Sequence, residues 1–133
     1  MIKLVFALRR RQDLTREEFQ TYWREHHAPL VRSHAEVLGI RRYVQAHTMA
    51  DELHAALRGS RGAPDAYDGV AELWFDSIEA LGAAAVSDEG RAAAVALLED
   101  ERRFIDHARS PLWLAEEQPV VGPTVGNDEA PGL

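Results

Sequence analysis

Residues 2 to 9, IKLVFALR, carry hydrocarbon on both sides of what their alternation marks as a β-strand. Ile2, Leu4, Phe6 and Leu8 share one face, while Val5 and Ala7 lie between Lys3 and Arg9 on the other. Such a strand is ill suited to a sheet with one wet side. At about 25 cal/mol per Å² of apolar surface, leaving its second face in water would forgo several kcal/mol and invite aggregation. The sheet is therefore expected to be covered twice, by its own helices on one face and by a second copy of the chain on the other.

The rest of the pattern supplies those helices. Thr15-Arg16-Glu17-Glu18 is a capping box, with Leu14 and Phe19 at hydrophobic-staple positions. Phe19, Tyr22, Trp23, His26 and Leu30 recur at helical spacing as an aromatic inner stripe. Pro29 has no amide to donate and crowds the preceding turn, which predicts a break or kink near His27-Ala28. A second helical piece then runs from Pro29 to Leu38, with Gly39 as its C-terminal cap. Residues 40 to 48, IRRYVQAHT, alternate as a second strand that puts Tyr43, Gln45 and His47 on one face; alternation leaves open whether helices or a partner meet them. Residues 51 to 58 form a short amphipathic piece, and 59 to 64 read as a mobile surface loop. Residues 68 to 75, DGVAELWF, make a third strand, with Val70, Glu72 and Trp74 opposed to Ala71, Leu73 and Phe75.

Asp76 or Ser77 caps a helix to about Val86. A longer helix follows from about Asp88 to His107, its face marked by Val95, Leu98, Arg102 and Ile105. Residues 116 to 122, EEQPVVG, read as a last strand, at a sheet edge because Pro119 cannot donate to a ladder. The order strand, helix, strand, strand, helix, strand predicts an α+β, ferredoxin-like βαββαβ fold: a four-stranded antiparallel sheet with helices on one face. One domain spans residues 1 to 122, and residues 123 to 133 form a flexible tail.

Several functions are disfavoured by composition. A net charge of -7 is wrong for binding phosphates, so no nucleic acid is expected, and Arg9-Arg10-Arg11 reads as a solvated strand end. The absence of cysteine removes disulfides, zinc thiolate sites and thiol nucleophiles together. No apolar run approaches a membrane span, and charge follows rather than precedes the first apolar stretch, which points to a cytoplasmic protein without a membrane partner. The six histidines are scattered, with no helical pair of the zinc type, so no metal is expected. No Gly-rich nucleotide loop follows a strand, so no cofactor is expected either, and no GxSxG elbow offers a serine nucleophile.

The stretch Phe19-x-x-Tyr22-Trp23-x-x-x-His27-Ala28-Pro29-Leu30-Val31 resembles the signature of the EthD-like family in the dimeric α/β-barrel superfamily. Tyr67-Asp68-Gly69, Glu72-Leu73-Trp74-Phe75 and Arg103-Phe104-Ile105-Asp106 resemble that family in the same order, so the likeness spans about residues 1 to 122. The resemblance implies a homodimer joined through its sheet faces, with each subunit's pocket between its own sheet and helices. It also implies relatives that are cofactor-independent monooxygenases, polyketide cyclases, decarboxylases, dehydratases and isomerases. Fold transfers from such a likeness better than reaction does.

Within that frame His27, His47 and Tyr43 are the candidate catalytic residues. A histidine can act as acid or base near neutral pH, and a tyrosine can donate to a developing oxyanion. His27 stands beside the helix break, where it either enters the pocket or satisfies backbone groups freed by Pro29. Tyr43 and His47 are about 13 Å apart along their strand and so do not form a dyad with each other. Tyr22, Trp23, Gln45, Glu72, Trp74 and Asp106 are candidate substrate-binding residues. Glu72, mid-strand among apolar neighbours, must be paired or shifted in pKa. Two functions follow. One is a cofactor-free enzyme acting by general acid/base chemistry on an apolar, enolisable, aromatic or polyketide-like substrate, as a cyclase, dehydratase, decarboxylase or monooxygenase-type oxidoreductase. The other is a non-catalytic binding or accessory protein for a hydrophobic metabolite, tied to an oxidoreductase or ether-degradation pathway.

Overall fold

The computed structural model describes residues 1 to 123. Four strands form one antiparallel sheet: β1 (Ile2–Leu8), β2 (Arg42–His47), β3 (Gly69–Phe75) and β4 (Leu112–Ala115), in the order β2-β3-β1-β4. Between them lie α1 (Arg16–Tyr22), a π-helical turn (Trp23–His27), α2 (Ala28–Leu38), α3 (Leu53–Arg61), α4 (Ile78–Val86) and α5 (Asp88–Glu101). This is the ferredoxin-like arrangement, with β1 and β3 central and β2 and β4 at the edges. Among the described residues no helix is long and apolar enough to cross a membrane.

Register assigns each side chain to a face. Leu4 lies opposite Leu73, which also pairs with Tyr43, and Phe6 lies opposite Ala71, which also pairs with Gln45. These residues face the helices. The outer face carries the row Val44, Glu72, Val5 and Trp113, flanked by Lys3, Trp74 and Arg42. The strand face that alternation could not orient is thereby oriented, with Tyr43, Gln45 and His47 under the helices.

The capping box forms as its residues dictate: the Glu18 amide donates to Thr15 Oγ1 at 3.1 Å and the Thr15 amide donates to Glu18 Oε1 at 2.9 Å. The helix does not stop at Pro29 but loosens before it. The Ala28 amide reaches back to the Trp23 carbonyl, one residue farther than in an α-helix, and α2 then proceeds with Pro29 in its first turn. Widening one turn accommodates the missing Pro29 donor without ending the helix. Gly39 ends α2 at φ 74°, where a side chain would be strained.

Four expectations are corrected. The last strand is Leu112–Ala115, not 116 to 122: the apolar LWLA ladder pairs with β1, whereas Val120 and Val121 are almost fully exposed. The last long helix ends at Glu101, because the chain turns there to bury Phe104 and Ile105; Arg10 and Ile105 then form an isolated bridge. Its inward face is Gly90, Ala93 and Leu97, while Val95 and Leu98 point outward. Small residues win the inner positions because α4 runs very close, and a Cβ on Gly90 would collide with the Ala84 carbonyl. The helix after β2 also extends through Arg61 into the segment read as loop. The tail expected from residue 123 lies, from residue 124 on, outside the described residues.

Candidate functional site

A cavity of about 250 Å³ separates the sheet from the helices. Its floor is Leu4, Phe6 and Leu8 of β1 with Tyr43, Ala71, Leu73 and Phe75 of the neighbouring strands. Trp23, His27 and Val31 close it on one side and Ala94, Leu97 and Glu101 of α5 on another. For scale, an apolar protein cavity of about 150 Å³ accepts benzene. This one has room for more than a single ring, and the wall is hydrocarbon except at His27, Tyr43, Glu101 and the indole of Trp23.

His27 is brought to that wall by the π-helical turn and is almost fully buried, its ring against Phe104 at 5.0 Å between centroids. Its Nδ1 lies 2.7 Å from Asp100 Oδ2. A carboxylate only accepts, so Nδ1 carries the proton and donates it, which leaves Nε2 as the basic nitrogen. Nε2 has no hydrogen-bond partner among the described residues. Asp100 is itself held, since the Tyr22 hydroxyl donates to Oδ1 at 2.6 Å. Burial first, then that contact with Asp100, pushes the Tyr22 pKa up to about 12, so it remains a donor.

Tyr43 enters the cavity from the floor. Burial raises its pKa above the usual 10, and the hydroxyl stays protonated at neutral pH. The hydroxyl oxygen accepts from Trp23 Nε1 at 3.2 Å and from Gln45 Nε2 at 3.0 Å. Gln45 Nε2 also donates to the Trp23 carbonyl at 3.0 Å, and Gln45 Oε1 lies 2.8 Å from His47 Nε2. His47 therefore bears its proton on Nε2. Its Nδ1 is buried without a partner, and its ring lies 4.4 Å from the Trp23 ring. Burial, helped by the Arg24 charge, lowers the His47 pKa below 6.5.

The sequence candidates thus separate. His27, Tyr43 and Trp23 line the cavity. His47, Gln45 and Tyr22 stand one layer behind it: Tyr22 donates to Asp100, Gln45 donates to Tyr43, and His47 donates to Gln45. Glu72 and Trp74 lie on the outer face of the sheet. There Glu72 is ion-paired with Lys3, and Trp74 donates to Glu117 at 2.7 Å beneath Lys3 and Arg42. The pairing expected of Glu72 is met, but by Lys3 and away from the cavity. Asp106 is also remote; its carboxylate stands 3.8 Å from Arg109, and its carbonyl accepts from Ser110. Sequence reasoning missed Asp100 and Glu101, the latter paired with His107 at 3.0 Å. No local signal marks either, because both are ordinary polar positions on an acidic helix. Among the described residues no group of three or more acidic or histidine side chains could hold a metal ion.

Solved structures share this architecture. An ethyl tert-butyl ether D (EthD) family protein from Bacillus halodurans is 22% identical, aligned over 89% of this chain and 99% of its own with a TM-score of 0.59. A dimeric protein of unknown function and ferredoxin-like fold from Bacteroides fragilis is 13% identical over 87% and 95%, with a TM-score of 0.55. SnoaB, a cofactor-independent oxygenase from Streptomyces nogalater, is 14% identical over 92% and 97%, with a TM-score of 0.51. At these identities the likeness is one of fold. No curated protein matches the sequence. The family model of the EthD domain does match, over residues 11–108, and the chain belongs to that family.

Proposed function

We propose that the protein is a cofactor-free enzyme, working as a homodimer, that removes a proton next to the carbonyl of a small apolar, aromatic or polyketide-like substrate. The observation that carries this reading is the His27–Asp100 pair at the wall of an otherwise hydrocarbon cavity. Asp100 fixes the tautomer and offsets the charge that His27 acquires when Nε2 takes the proton. The electron pair left on carbon moves onto the carbonyl oxygen, where the Tyr43 hydroxyl donates to the enolate. Proton abstraction of this kind opens cyclisation and dehydration and prepares a carbanion for oxygenation. The cofactor-independent oxygenase SnoaB shares the fold, which supports chemistry without a cofactor. The outer face of the sheet, with Val5, Val44 and Trp113 in one row, supports the homodimer.

The test needs no knowledge of the physiological substrate. Purified protein in D₂O is incubated with a panel of aryl ketones and β-diketones, and exchange at the carbon next to the carbonyl is followed by proton NMR. Wild type is expected to accelerate exchange of at least one compound. His27→Gln should lose about a hundredfold or more of that acceleration, and Asp100→Asn a smaller share. Exchange in His27→Gln equal to wild type would remove the dyad from the mechanism. Saturable binding with no exchange by wild type would identify a non-catalytic binding protein instead.

A further inference from the structure

Tyr43 faces the cavity with both acceptor positions of its hydroxyl oxygen already filled, one by the Trp23 indole and one by the Gln45 amide. Neither donor can be reversed. Indole nitrogen only donates. The amide of Gln45 cannot be turned over, because its second N–H is held by the Trp23 carbonyl, and a flipped group would set oxygen against oxygen. That carbonyl is itself fixed in the π-helical turn, where it also accepts from the Ala28 amide. On its other side Gln45 Oε1 takes the Nε2 proton of His47, an arrangement that leaves His47 Nδ1 buried and unpartnered. That buried nitrogen carries a free-energy cost, while the Nε2 donor on the same ring fixes the orientation of Gln45.

We infer that Gln45 is the positioning residue that makes Tyr43 an obligatory hydrogen-bond donor into the cavity, so that the ligand atom it meets must offer a lone pair, as a carbonyl oxygen does and an ammonium or other purely donating group does not. The inference rests on the reading of this cavity as the ligand site and adds what selects the ligand. With two N–H groups directed at its oxygen, the Tyr43 proton has no acceptor among the described residues and only the cavity to enter. A ligand oxygen that accepts completes the group. A ligand group that can only donate meets an oxygen with no lone pair to spare and leaves the Tyr43 proton unsatisfied, the asymmetry on which sites built from buried polar groups reject near-isosteres. Without the Gln45 donor, one lone pair is released and the hydroxyl can turn between donating and accepting.

Acetophenone and α-methylstyrene form a matched pair of probes, alike in shape and differing in C=O against C=CH₂. Binding of each is measured by titration calorimetry to wild type, Tyr43→Phe and Gln45→Met, and the carbonyl stretch of bound acetophenone is recorded by infrared difference spectroscopy. Wild type should prefer acetophenone, and Tyr43→Phe should reduce that preference about tenfold while binding α-methylstyrene within about twofold of wild type. Gln45→Met should erode the preference in the same direction, and the carbonyl stretch, lowest in wild type, should rise in both variants. A merely structural role for Gln45 would weaken both probes alike and leave the stretch where it was, which would overturn the inference. A preference and a stretch unmoved by Tyr43→Phe would overturn it too, even if Gln45→Met failed to fold. Failure of wild type to bind either probe would instead overturn the cavity as the ligand site.

Discussion

At the scale of single residues, the polar groups around the cavity are arranged in two short chains, Tyr22–Asp100–His27 and His47–Gln45–Tyr43, each ending on the cavity wall. The second has a consequence for stability. His47 sits below its ordinary value of 6.5 because burial and the Arg24 charge disfavour the imidazolium. As the pH falls, the unfolded chain binds a proton at this side chain before the folded one does. The stability that His47 contributes is therefore complete above about pH 6.5 and is lost as the pH drops toward the lower folded value. Glutamine at this position can still donate to Gln45 but does not titrate. The advantage in Tm of wild type over His47→Gln is expected to shrink between pH 7.5 and pH 5.5 in thermal melts; a gap that stays constant would refute it. The sequence disclosed these residues unevenly. His27 was legible because a proline two positions on forces a local rearrangement there. Asp100 was not, since its partner is 73 residues away and nothing on an acidic helix distinguishes one carboxylate from the next.

At the scale of elements, one tightly constrained contact is that between the π-helical turn and the start of β3. The Trp23 ring lies directly on Gly69, where an added Cβ would collide with the indole and stand 3.0 Å from the Ala46 carbonyl. Glycine is needed here for close approach rather than for an unusual backbone angle. Gly69→Ala should lower stability by about 1–3 kcal/mol, as overpacked sites do, and displace Trp23 from Tyr43. Chemical denaturation checks the first effect, and the intrinsic tryptophan emission of the folded state checks the second. An unchanged denaturation midpoint would show that the indole has room to move. Element boundaries were readable where a residue dictates backbone chemistry, as at the Thr15 capping box, Gly39 and the loosened turn before Pro29. They were misread where tertiary contacts decide. The inner face of α5 follows the needs of α4, so alanine and glycine take positions that hydrophobic periodicity assigned to Val95 and Leu98. The last strand is chosen by what pairs with β1, not by the residues around Pro119.

At the scale of the whole molecule, the order of elements set the fold expectation, and the sheet order with helices on one face agrees with it. The helix-facing side chains enclose the cavity. Among the described residues no element lies across the outer-face row Val44, Glu72, Val5 and Trp113, where the valines are partly exposed and Trp113 is 47% exposed. Glu72 is neutralised in place by Lys3, so the row offers a partner hydrocarbon with little unpaired charge to desolvate. A second copy meeting this face would bring its own Val44 and Glu72 to the same interface, because a twofold contact presents one patch to itself. Val44→Asp exploits this: beside Glu72, and doubled across the twofold, it places like charges in a dry interface. Wild type is expected to be dimeric by light scattering at micromolar concentration, with a Tm that rises with protein concentration. Val44→Asp should weaken the dimer at least about a hundredfold and run as a monomer with an unchanged far-ultraviolet spectrum, because the core beneath the helices does not include this face. If wild type is a monomer, or if the aspartate variant stays dimeric, the outer sheet face is not the contact, and the hydrocarbon on it must be covered by some other partner.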